Sequence, residues 1–181
     1  MLEFATWLQS TPLSVAISSA AWVVPTLQSL HILTIGVVFV SILMIALRVL
    51  GRVRVDDPFA LVWSRFAPFL WWGLAVMAAT GLLLTLSEPV RELMTLSFRL
   101  KMLFLVIGVA SAAAFGRWAR VAAHAGAGRV ASMHFPARMR AAAIATIVVW
   151  LTIILLGRAI AYDDVVWGSW SPAVLGGADG T

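Results

Sequence analysis

The chain has no cysteine among its 181 residues. That excludes disulfides, thiolate metal sites and the covalent attachment of c-type haem. Charge is sparse too: Asp, Glu, Lys and Arg make up 12% of the chain, about half the roughly 25% usual in soluble domains. No HExxH, P-loop or paired-carboxylate pattern occurs, so none of the chemistry those motifs carry is expected. No Asp or Glu stands inside a long apolar run, which argues against an ion-coupled transporter, since proton relays through membranes favour such groups. The N-terminus carries Glu3 and no basic residue before its first apolar stretch, so no cleavable signal peptide is expected.

What is present is apolar. Hydrophobic residues make up 62% of the chain and the mean hydropathy is +0.98. A net charge of +5 in a soluble protein would suggest nucleic acid. Here it points to basic loops flanking membrane spans, with no nucleic-acid partner. Four segments offer about 20 mostly apolar residues each, the length needed to cross a bilayer: Trp22 to Leu47, Phe66 to Leu86, Phe98 to Trp118 and Ala141 to Tyr162. Lipid gives backbone groups no partners, so these spans must be helices. The expected fold is an all-α integral membrane four-helix bundle over residues 21–162. An outer interfacial segment over 1–20, with a short interfacial helix, precedes it, and an outer Gly-rich tail over 163–181 follows, with Trp167 and Trp170 in the headgroup belt. Within 1–20, Ser10 or Thr11 followed by Pro12 marks a helix start, and Leu2, Phe4, Trp7 and Leu8 suit an interface.

Orientation follows from the loops. Arg48, Arg52, Arg54 and Arg65 flank the first connection, and Arg117, Arg120, Arg129, Arg138 and Arg140 the third. Together they are nine of the thirteen basic residues. Basic connections stay in the cytoplasm. The expected placement is therefore the bacterial inner membrane, with both termini outside.

Ionisable residues inside a membrane usually face the bundle or a cavity. His31, Arg99, Lys101 and Arg158 all fall in the outer half of their spans. Arg99 and Lys101 could snorkel from a helix end, and Arg158 could do so or pair with Asp163 or Asp164. His31 is too short to snorkel. It either closes a hydrogen bond between helices or serves a cofactor. Gln28, Thr34, Ser41 and Arg48 extend a polar stripe along the same helix, readable as helix contact or as a proton path. The small residues Gly108 to Gly116, with Gly73, Ala78, Ala79 and Gly81, suit close helix packing or room for a flat cofactor. His124 and His134 read as solvated loop histidines.

Haem b needs an axial ligand, most commonly a neutral imidazole, and cations for its propionates, and bundle cofactors sit between facing helices. His31 is the candidate iron ligand, with Arg99, Lys101 and Arg158 as propionate anchors, and the sixth position is either taken by Met77 or Met102 or open. The leading expectation is a haem-b-binding or porphyrin-handling membrane protein moving electrons to a periplasmic partner, which leaves a haem-dependent oxidoreductase open as the enzyme class. The alternatives are a cofactor-free accessory subunit of a larger membrane complex, a homo-oligomer included, and metal uptake or transport.

The stretches "PTLQSLHILTIG", "ALRVLG", "FLWWGLAVMAATGLLLTLSEPVRELMTLSFRLKMLFL" and "GRAIAY" resemble a family of small bacterial four-helix membrane proteins of unknown function. More distantly, the layout is similar to HemJ-type protoporphyrinogen oxidases and to the membrane domain of copper-resistance D proteins, which place "LH" in the first helix and "xKxxL" at the start of the third. That resemblance implies His31 as a haem ligand and Lys101 as a functional lysine. The chain departs from the family pattern in having no acid at Gln28 or near Ala46, and in Gly116 where a histidine would follow Phe115.

Overall fold

The structure, a computed structural model, describes residues 1–124 and 135–172. Two short helices, α1 (Leu2–Gln9) and α2 (Pro12–Ser19), lead into α3 (Val23–Val49) and α4 (Phe59–Ser87). A short α5 (Pro89–Met94) precedes α6 (Leu96–His124) and α7 (Ala137–Ala159), and α8 (Asp163–Trp167) lies between single 3-10 turns at Ile160–Tyr162 and Gly168–Trp170. No strand occurs among the described residues. Four helices are long and apolar enough to cross a membrane. The 27 residues of α3, at about 1.5 Å each, reach roughly 40 Å, more than the ~30 Å hydrocarbon core. The chain is thus a multi-pass, all-α membrane bundle.

The helices outrun the apolar segments from which they were expected. α4 begins at Phe59 rather than near Phe66 and continues through Pro68. α6 extends past Trp118, and α7 starts at Ala137, so Arg138 and Arg140 lie in its first turn. Hydropathy marks only the part that lipid must solvate. Arginine is a good helix former, so a basic flank prolongs a helix that the apolar count would end.

At the N-terminus the expected start is present: Thr11 caps α2, its hydroxyl accepting from Ser14 N at 3.4 Å, with Pro12 in the first turn. Where one interfacial helix was expected the chain forms two, with α1 before α2. In α1, Ala5 is fully buried while Leu2, Phe4 and Trp7 are exposed, the one-sided character of a helix lying in an interface. α1 packs on α5 and α2 on α4, so both cover the end of the bundle where α6 begins.

The antiparallel pair α3–α4 packs against the pair α6–α7, chiefly through α3 on α7 and α4 on α6. Glycines set the register. A Cβ on Gly73 would come within 2.6 Å of Val38, and one on Gly116 within 2.5 Å of Trp63. One on Gly108 would come within 3.1 Å of Trp150, a side chain only 2% exposed in the core. The small residues therefore receive large side chains from the neighbouring helices. Ala78 and Ala79, expected to share this role, are exposed.

Candidate functional site

The register brings the polar residues expected in the outer half of the membrane to one level. Val38 meets Gly73, and two turns further along both helices His31 meets Thr80, with Nδ1 2.7 Å from Oγ1. On the other pair Gly108 meets Trp150, and two turns further Lys101 lies against Gly157, its Nζ 3.7 Å from where a Cβ would stand. The shared depth of His31, Lys101, Arg99 and Arg158 expected from the sequence thus follows from helix pairing.

The hydrogen bonds around His31 assign its tautomer. Thr80 Oγ1 lies 2.8 Å from Val76 O, four residues back on its own helix, and a threonine hydroxyl in that position donates to the carbonyl. Its oxygen then accepts from His31 Nδ1–H, which leaves the lone pair on Nε2. Among the described residues Nε2 makes no hydrogen bond. The ring is buried and lies over Gly81, where a Cβ would come within 3.3 Å of Cε1. An alanine at 81 would press on the imidazole, so this glycine is the floor of the histidine's pocket.

The cations divide. Lys101 is close enough to His31 for its charge to bear on it. No hydrogen bond or ion pair of Lys101 Nζ is seen among the described residues, and its nearest countercharge is Glu92. Arg99 instead donates from Nε to Leu93 O at 3.3 Å, tying α6 to the end of α5. Arg158 is exposed and stacks over Tyr162, with Cζ 5.6 Å from the ring centroid. Neither Asp163 nor Asp164 forms an ion pair with it among the described residues. Of the three expected propionate anchors, only Lys101 faces inward beside His31. Met77 is buried in the core one turn below Thr80, opposite Thr34 in the register, while Met102 is only partly buried.

Asp163 has a role that the sequence hid. Its carboxylate is buried and accepts from Ser97 N at 2.9 Å, Leu96 N at 3.3 Å and the hydroxyl of Ser171. It caps the first turn of α6 from another helix, where unpaired N–H groups and the helix dipole favour an anion. Trp167 donates to Ser97 Oγ at 2.9 Å beside it. An Asp about a third of a chain length from the helix it caps leaves no local signature. Glu92, outside the spans on α5, is half-buried. Burial raises its carboxyl above the usual value, with Lys101 and Arg91 pulling the other way without reversing the shift.

Along α3 the polar stripe is real but incomplete. His31, Thr34, Ser41 and Arg48 are buried, whereas Gln28 is exposed. Thr34 donates to Leu30 O at 2.7 Å and Ser41 to Val37 O at 2.8 Å. Those hydroxyls are satisfied on their own helix, as at ordinary helix contacts, which speaks against the proton path. Arg48 ends the stripe, donating from Nε and Nη2 to Asp57 O at 2.8 and 2.6 Å under the Phe135 ring. Among the described residues no group of three or more His, Asp or Glu could hold a metal ion. The solvated-loop reading of His134 lies outside the described residues, as does that of the His124 side chain.

The class defined by this geometry is a multi-pass helical bundle that holds, among the described residues, a buried histidine and a half-buried lysine at the end opposite its arginine-rich connections. Comparison with family models, curated proteins and solved structures finds no match to this chain.

Proposed function

We propose that this is a haem-b-binding or porphyrin-handling protein of the bacterial inner membrane, with its site in the outer leaflet and an electron-transfer role toward a periplasmic partner. The carrying observation is His31: Nδ1–H is engaged by Thr80 and Nε2 has no partner among the described residues. Metal-binding histidines characteristically donate their other ring N–H to a neighbour, which fixes ring and tautomer. The fit to haem is supported on one axial side and for one carboxylate. His31, whose ring lies over Gly81, would ligate the iron, and Lys101, whose stem lies against Gly157, would neutralise a propionate. Arg99 and Arg158 are engaged elsewhere and drop out of the binding set. Met77 stays the better second-ligand candidate by burial. When bound, haem supplies a one-electron iron couple. The residues of the chain hold the imidazole in one tautomer, keep water out and set a positive charge beside the site. The orientation rests on the arginine-rich connections staying cytoplasmic.

The test is the visible spectrum of the full-length protein purified from haem-sufficient cells. A Soret band that disappears in His31→Ala and persists in Arg158→Gln is the expected result. No Soret absorbance after haem supplementation would overturn the reading, and a colourless protein that co-purifies with one partner at fixed stoichiometry would replace it with the accessory-subunit role.

A further inference from the structure

At the opposite end of the bundle, α4 and α6 enclose a cleft of about 540 Å³ lined by Trp63, Ser64, Pro68, Trp71, Arg117 and Arg120, among others. Its volume falls in the range of about 300–1,000 Å³ usual for small-ligand sites. The cleft joins two chemistries. Arg117 and Arg120 project from adjacent turns of α6, both exposed, at the level of the basic connections. Below them the walls become apolar, with Ala67, Trp71 and Ala113. The glycine at 116 keeps the cleft in this form, because Trp63 lies where its Cβ would be. Pro68 has no N–H to give to Ser64 O, so the α4 wall also carries a backbone carbonyl without its helical donor.

We propose that this cleft binds one anionic phospholipid of the arginine-rich leaflet. Its phosphate would lie between Arg117 and Arg120, its polar headgroup near Ser64, and an acyl chain along Trp71. Charge complementarity selects the occupant. Basic pockets between spans at this depth match anionic headgroups, and guanidinium groups fit phosphate oxygens better than ammonium groups do. A zwitterionic lipid would bring its own cation toward the same two arginines. The site is independent of the His31 site and of the haem reading.

Native mass spectrometry of the full-length protein, equilibrated in detergent with equal phosphatidylglycerol and phosphatidylcholine, tests the proposal. One phosphatidylglycerol should be retained in preference. Arg117→Gln and Arg120→Gln should each weaken retention about fivefold, the effect of one cation near an anionic surface, and together abolish the preference. Arg52→Gln, at the same end but outside the cleft, should leave it unchanged, and millimolar inorganic phosphate should not displace the lipid. Equal loss in Arg52→Gln would show a diffuse charge effect and overturn the site. So would displacement by free phosphate, or unchanged retention in the double variant with wild-type thermal stability.

Discussion

Arg48 and Lys101 are both long cations set into the bundle, one near each end, and their surroundings differ. Arg48 is 3% exposed. It gives two hydrogen bonds to Asp57 O and lies under Phe135, which with Phe59 and Trp118 forms a cluster of edge-on rings 4.7 to 5.9 Å apart. The nearby loop is fixed as well, with Gly51 and Arg54 at positive φ and Arg54 paired to Asp57 at 2.6 Å. Lys101 sits against a glycine, with a histidine nearby whose outer nitrogen has no partner among the described residues. A buried cation whose donors are spent on backbone acts as a structural rivet. One held beside an unspent imidazole is arranged for something that arrives.

The largest effect expected is at the His31 end: His31→Ala should remove all haem absorbance while the protein stays monodisperse, read by spectrum and gel filtration together. At the Arg48 end, Arg48→Met should lower stability by about 2–4 kcal/mol, because the Asp57 carbonyl loses its charged donors inside the fold. Thermal unfolding in detergent would show it, and a shift near zero would mean that the rivet is ornamental. Asp163→Ala should cost about 1–2 kcal/mol by uncapping α6, without abolishing haem binding. Gly81→Ala should cost less, about 1 kcal/mol or below, yet move the Soret maximum or the reduction midpoint, since it presses on the His31 ring. An unaltered spectrum there would separate the histidine from the chromophore.

The smallest effect concerns Glu92. Its carboxyl is raised in the folded protein, so the protonated form is the one that folding favours. Stability from this group is therefore fullest below the ordinary carboxylate range and falls as pH rises through that range to the raised value. Glu92→Gln should flatten that part of the stability–pH curve, measured between pH 4 and 7. A wild-type curve that rises over the same interval because of Glu92 would contradict the sign.

Much of this was legible in the sequence. The four spans followed from apolar length, the α2 start from Thr11 and Pro12, and the burial of His31 from a side chain too short to reach water. The level shared by His31, Lys101, Arg99 and Arg158 followed from counting along each span. The helix ends were less legible, because arginine prolongs helices without adding hydropathy. Gln28 was misplaced on the stripe, since each three-residue step, from Thr34 to His31 and on to Gln28, falls about 60° short of a full turn at 3.6 residues per turn.

What the sequence determined alone is the membrane-spanning, all-helical character, because lipid leaves the backbone no other way to satisfy its hydrogen bonds. It also determined the depth of each polar residue, because helical rise is constant. Which cation turns inward was decided only by tertiary structure. Arg158 and Lys101 stand at one depth, and each has a stem long enough to point toward the bundle or toward the headgroups. The packing of α6 on α7, with Gly157 leaving space for Lys101 and Tyr162 drawing Arg158 outward, made that choice. The cap at Asp163 is of the same kind: its partners are more than 60 residues away, and only the closed bundle brings them together.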